Sequence, residues 1–135
     1  MGAIFTDRDH HAIQHRSRQC PNFVWPIRRD GGYFVMLSQF QDNHCLFTFL
    51  EDFKRNPGAA DPWLVVSLYD EFIVEHDISL VRGGFSPPHM TREEASRLVG
   101  LLHRYYVDDN AYRTVEDFNL RPNTFDPTKH FSTCP

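Results

Sequence analysis

Two neighbouring runs, Tyr33 to Phe40 and His44 to Leu50, constrain the fold more than any other feature, because each is apolar at both of its alternating sets of positions. Successive side chains of a strand point to opposite faces. Phe34, Met36 and Phe40 therefore share one side of the first run, and Tyr33, Val35 and Leu37 the other; the second run repeats this with Leu46 and Leu50 against Phe47 and Phe49. A sheet that is apolar on both faces needs a cover on both. The polar link Gln41-Asp42-Asn43 predicts a hairpin, with Asn43 in the left-handed conformation that a three-residue loop requires.

Other strands follow from composition. Phe23 to Ile27 reads as the first strand, and Pro26, which has no N–H for a ladder, puts it at an edge or an end. Trp63 to Tyr69 and Ile78 to Phe85 read as two more, joined by the acidic segment Asp70 to Asp77 and ended by Gly83-Gly84 and Pro87-Pro88. Glu51 to Pro62 reads as a loop with one helical turn at Asp52 to Arg55. Thr91 followed by Glu94 is a capping box, and Ala95, Leu98, Val99, Leu102, Tyr105 and Tyr106 form one stripe of a helix over Arg92 to Val107. Thr114 to Phe118 is ambiguous between strand and turn, and Asn119 to Pro135 reads as loop. The expectation is an α+β domain whose strongly twisted antiparallel sheet, half-barrel-like and of five or six strands, is packed by one long C-terminal helix. It is a single domain over 1–135, with 1–18 an N-terminal arm, 19–126 the core and 127–135 a tail.

At 135 residues and 41% hydrophobic composition the chain has enough material for one core. No apolar run approaches the ~18 residues of a membrane span, so no insertion is expected. Cys20, Cys45 and Cys134 form no CxxC pair, which speaks for a reducing compartment and against a disulfide framework or zinc. The first 29 residues carry a local charge of +3 against −7 for the remainder, but five arginines in an acidic protein read as solvated surface, and no nucleic-acid partner is expected.

The common catalytic motifs are absent: there is no GxSxG, HExxH, GxxxxGK[ST] or GxGxxG after a strand, which argues against an enzyme and leaves no catalytic residue, cofactor or metal to assign. His11 and His15, four apart, suit one helical face but read as a solvated pair. His44 and Cys45 point to opposite faces of their strand, so they do not form a base and nucleophile. Asp70 and Glu71 would serve a hydrolase only if they converged with His44 or His89. Arg82-Gly83-Gly84 suits an anion but reads more simply as a strand-ending turn.

Three segments, taken in order, resemble the ATP11 family of F1-ATPase assembly chaperones. They are His15-Arg16 with Cys20-Pro21-Asn22-Phe23-Val24-Trp25-Pro26, running into Gly32-Tyr33; Val81-Arg82-Gly83; and Val115-Glu116-Asp117-Phe118-Asn119-Leu120-Arg121-Pro122-Asn123-Thr124-Phe125-Asp126. The family carries a largely helical region before the Cys-Pro segment, for which this sequence leaves little room. The resemblance implies a non-enzymatic chaperone of the mitochondrial matrix. It would bind the free β subunit of F1 as a monomer and prevent its aggregation until the α subunit takes that place. Exposed aromatic sheet positions would make the contact, with Phe40, Phe47, Phe49 and Tyr69 as the candidates. The competing reading is a small domain whose curled aromatic sheet holds an apolar ligand such as a lipid.

Overall fold

The computed structural model describes residues 2–69, 78–85 and 89–135. The strands are β1 (Gly2–Thr6), β2 (Asn22–Arg29), β3 (Gly32–Gln41), β4 (His44–Phe49), β5 (Pro62–Tyr69) and β6 (Ile78–Phe85). The helices are α1 (Asp7–Gln19), α2 (Leu50–Arg55), α3 (Arg92–Val107), α4 (Asp109–Leu120) and α5 (Pro127–Thr133). All strand pairings are antiparallel, in the order β1-β6-β5-β4-β3-β2, which makes the molecule α+β with a six-stranded open sheet. The acidic segment 70–77, with Asp70 and Glu71, and Pro87-Pro88 lie outside the described residues.

Register explains the two-faced hairpin. Trp25 pairs with Met36 and Met36 with Phe49; Phe23 pairs with Ser38, Ser38 with Phe47 and Phe47 with Leu64. These rows lie on one face, and Phe23, Trp25, Met36, Phe47 and Leu64 have no exposed surface. Their cover is the α3 stripe of Ala95, Leu98, Leu102, Tyr105 and Tyr106, joined by Ile13 of α1 and Tyr112 and Val115 of α4, all buried. Each large side chain so enclosed contributes about 1.5–3 kcal/mol by leaving water. Two polar side chains on this face are matched to each other: Trp25 Nε1 donates to Ser38 Oγ at 2.8 Å, and Ser38 Oγ donates to the Phe23 carbonyl at 3.3 Å. On the opposite face Val24, Leu37 and Thr48 are buried and Val35, Leu46, Val65 and Tyr69 half-buried.

β2 is an edge strand, as Pro26 requires, and side chains occupy several of its outward backbone groups between Asn22 and Pro26. Asn119 pairs with Asn22 through both the amide and the carbonyl, His130 Nε2 lies 2.9 Å from the Val24 carbonyl, and Arg97 Nη1 donates to the Pro26 carbonyl at 2.8 Å. A carbonyl only accepts, so His130 carries its proton on Nε2. A bare edge templates pairing with another chain, and these side chains cover much of this one from Asn22 to Pro26.

Several expectations are corrected. The 1–18 arm is a strand and a helix, because Thr6 caps α1 by accepting from the Asp9 amide, and His10, Ile13 and Ser17 recur on one buried side. The 13-residue α1 directly precedes Cys20. Phe23–Ile27 belongs to the second strand, not the first. Thr114 to Phe118 lies within α4, started by the Asp108 side chain accepting from the Ala111 amide. The 127–135 tail contains α5, opened by Asp126 as cap with Pro127 in the first turn. The Arg92–Val107 helix and its capping box are as expected, but it shares the C-terminal half with two further helices. Asp42, at φ +55°, takes the left-handed position of the hairpin turn instead of Asn43. Gly83 and Gly84 lie inside β6, paired with Val66 and Val65, and do not end it.

Candidate functional site

The four aromatic candidates do not converge. Phe47 sits in the core against Trp25 (6.2 Å between ring centres), with no exposed surface, because its row lies on the helix-covered face. It offers nothing to a partner. Phe40 lies at the turn end of β3, half-buried against Tyr106 at 5.1 Å. Phe49 lies at the far end of the same ladder, packed edge-on to Phe34 and stacked on Trp63 at 5.0 Å. Tyr69 follows the buried Leu68 and so faces the other side of the sheet, half-buried. His44 is exposed, 2.8 Å from Ser67 Oγ, while its neighbour Cys45 is buried, as strand alternation requires.

Phe40 lines one surface cleft, and Phe49 stacks on Trp63, which lines a second. The first, about 460 Å³, opens between α1 and the β3–β4 turn and is lined by Gln14, Ser17, Arg18, Pro21, Phe40, Asp42 and Asn43. The second, about 510 Å³, lies beside α2 and ends on Trp63 and His89, whose rings stack at 4.9 Å. Trp63 and His89 extend the Phe49 cluster in a way that sequence reading missed, since β5 and the turn before α3 meet only in the fold. Arg29 closes this end: its guanidinium stands 4.8 Å over Phe34 and forms a two-pronged pair with Glu94 at 2.6 and 2.7 Å. That pair holds the Glu94 carboxyl below its ordinary range and raises Arg29.

At the cleft by Phe40, α1 is fixed to the α3–α4 junction by Arg16. Its Nη1 donates to the Tyr106 and Val107 carbonyls at 3.2 and 3.1 Å, Nη2 reaches Asp109 at 2.6 Å, and the guanidinium lies 4.6 Å over Tyr112. Arg16 thereby satisfies carbonyls at a helix C-terminus, where cations are favoured. Two of the thiols are poor nucleophiles: burial pushes Cys45 far up and raises Cys20. Among the described residues no group of three or more His, Cys, Asp or Glu side chains is placed to hold a metal, and no helix is long and apolar enough to cross a membrane.

Of the three segments that carry the family resemblance, the first and the third are neighbours here. Phe23 meets Phe118 and Phe125 edge-on at 5.8 and 6.2 Å, Asn119 clasps Asn22, and the Cys20 carbonyl accepts from Tyr106 Oη at 2.7 Å. The first and third segments thus build one structural unit at the β2 edge.

Fold and clefts together define an α+β domain with a helix-backed antiparallel sheet and surface clefts at both ends of its central hairpin. The sequence profile of the family described as "ATP11 protein" matches residues 1–129, and the chain belongs to that family. It is similar to the ATP synthase mitochondrial F1 complex assembly factor 1 of Homo sapiens, 30% identical over 115 residues that cover 84% of this chain and 35% of the relative. The Mus musculus protein of the same name is 29% identical over 115 residues, 84% of this chain and 36% of the relative. That of Danio rerio is 24% identical over 127 residues, 93% and 42%. The chain spans only about a third to two-fifths of the length of these relatives.

Proposed function

We propose that this chain is a non-enzymatic chaperone of the mitochondrial matrix that binds the free β subunit of F1-ATPase and shields it from aggregation before the α subunit joins. The observation that carries the reading is the family match over residues 1–129, which includes the motif unit at the β2 edge. The relatives' name, F1 complex assembly factor, supports the same role. An orphan β subunit exposes surface destined for another subunit, and covering it requires a rigid surface whose grip is weak enough to be exchanged. The partner-facing positions in this reading are Phe40, Phe49 and Tyr69, while Phe47 belongs to the core. The chaperone acts as a monomer and without cofactor.

Aggregation of isolated β subunit, followed by light scattering with equimolar chain, tests the reading against α subunit and an unrelated aggregating protein. Selective protection of β is the expected result. Equal protection of all three, or of none, contradicts it.

A further inference from the structure

The residues of α1 divide sharply by exposure. Its buried side is His10, Ile13 and Ser17, and its fully exposed residues are Arg8, His11, His15, Arg18 and Gln19. At about 100° of rotation per residue these five share one arc of about 100°. Four of the five are permanent or potential cations, on a chain whose net charge is −4. Of the acids of the same helix, Asp9 is turned aside to meet His103 of α3 at 2.8 Å, while Asp7 borders the arc at its N-terminal end, 3.4 Å from His11, and offsets part of the charge there. Asp109 of α4 is held by Arg16, with Arg8 and Arg113 also close enough to stabilise its carboxylate. Among the described residues Arg8 and Arg18 meet no carboxylate in an ion pair.

The arc does not end at the helix. Arg18 is also a wall of the 460 Å³ cleft, beside the half-buried Pro21 and Phe40, with Asp42 on the turn. A basic helical stripe therefore leads into a partly apolar cleft. We infer that this surface docks an acidic segment of a protein partner, whose carboxylates lie along Arg8, His11, His15 and Arg18 and whose apolar side chain enters between Pro21 and Phe40. Charge complementarity selects the partner class. Arg8 and Arg18 are ten residues apart, about 15 Å along the axis, a span that a few acidic side chains on one segment bridge. A nucleic-acid surface carries denser basic charge on a basic domain, and a lipid-binding helix presents its apolar side outward, whereas Ile13 of α1 is spent on the core.

The inference deepens the proposed role and, where it names the β subunit as the partner, rests on it. The test compares the chain with its Arg8→Glu/Arg18→Glu double variant, both exposed sites, after circular dichroism has shown that the two fold alike. Each is titrated with isolated F1 β subunit and, separately, with a fluorescent peptide of alternating Glu and Leu, at about 50 and about 500 mM salt. Duplex DNA and phosphatidylserine vesicles are the comparison arms. The expected result is that wild-type chain binds both β and the peptide more tightly than DNA or vesicles, and that high salt or the double reversal each weakens binding about tenfold or more. Charge-dependent binding of the peptide without binding of β keeps the site and removes β as its occupant. Binding that ignores salt and the reversal, or preference for DNA or vesicles, overturns the inference.

Discussion

Asn119 grips Asn22 twice: its Nδ2 donates to the Asn22 carbonyl at 2.6 Å and its Oδ1 accepts from the Asn22 amide at 3.2 Å. A side-chain amide thus takes the place of a neighbouring strand at the edge of the sheet, and joins two family-motif segments 97 residues apart. The same Nδ2 also donates to the Val115 carbonyl at 2.8 Å.

Asn119→Ala leaves both Asn22 groups unpaired in a half-buried site, a loss of about 1–3 kcal/mol. Urea denaturation of the variant is expected to show a lower midpoint with an unchanged slope. A midpoint equal to the wild-type value contradicts the clasp.

His130 is buried, and burial lowers its pKa from the ordinary value of 6.5. The unfolded chain therefore takes up a proton at this residue before the folded one does. Stability is full above about pH 6.5 and declines as pH falls from there towards the folded value. Thermal unfolding from pH 7.5 down to 5.5 measures this. His130→Gln, which retains an N–H for the Val24 carbonyl, is expected to flatten the profile in that interval, and an unaltered slope would count against the assignment.

Glu94 is depressed chiefly by its hydrogen bonds from Arg29, so its contribution is present above the ordinary carboxyl value of 4.5 and lost as pH falls through the lower folded value. With Arg29 about two-fifths exposed the pair is worth about 1 kcal/mol or less. Arg29→Met is expected to cost about that much at pH 7 and progressively less as pH falls through the lowered Glu94 value. A deficit that does not shrink as pH falls would mean that the packing on Phe34 or the bond to the His89 carbonyl, not the Glu94 pair, is what was lost.

Phe47→Ala empties a site with no exposed surface and is expected to cost about 3–5 kcal/mol. Phe47→Asp is expected to abolish the folded circular dichroism spectrum. A folded Phe47→Asp chain would refute the burial of this position.

Much of the sheet was legible. The strand runs lie within a residue or two of their observed bounds, and both the Thr91 box and the α3 stripe appear as read. Helix α1 was hidden because its buried side is His10, Ile13 and Ser17, which shows one apolar residue in three. α4 was obscured by Asp108-Asp109-Asn110, which resembles a breaker although Asp108 is a cap; Tyr112 and Val115, with Phe118 half-buried beyond them, held the helical spacing. Asp126-Pro127 likewise announced α5. Asp30-Gly31, both at positive φ, was the direct sign of the β2–β3 turn. The candidate site was less legible because alternation says which residues share a face, not which face the helices cover. That choice buried Phe47 and left Phe40 and Phe49 at opposite ends. The basic arc of α1 was written at positions 8, 11, 15 and 18, but it is readable only once that segment is known to be a helix.

Sedimentation velocity of the chain mixed with isolated F1 β subunit, before and after addition of α subunit, reads capture and release of β in one experiment. A one-to-one complex with β that dissolves when α is added is the expected result. No complex with β, or one that α leaves intact, would contradict it.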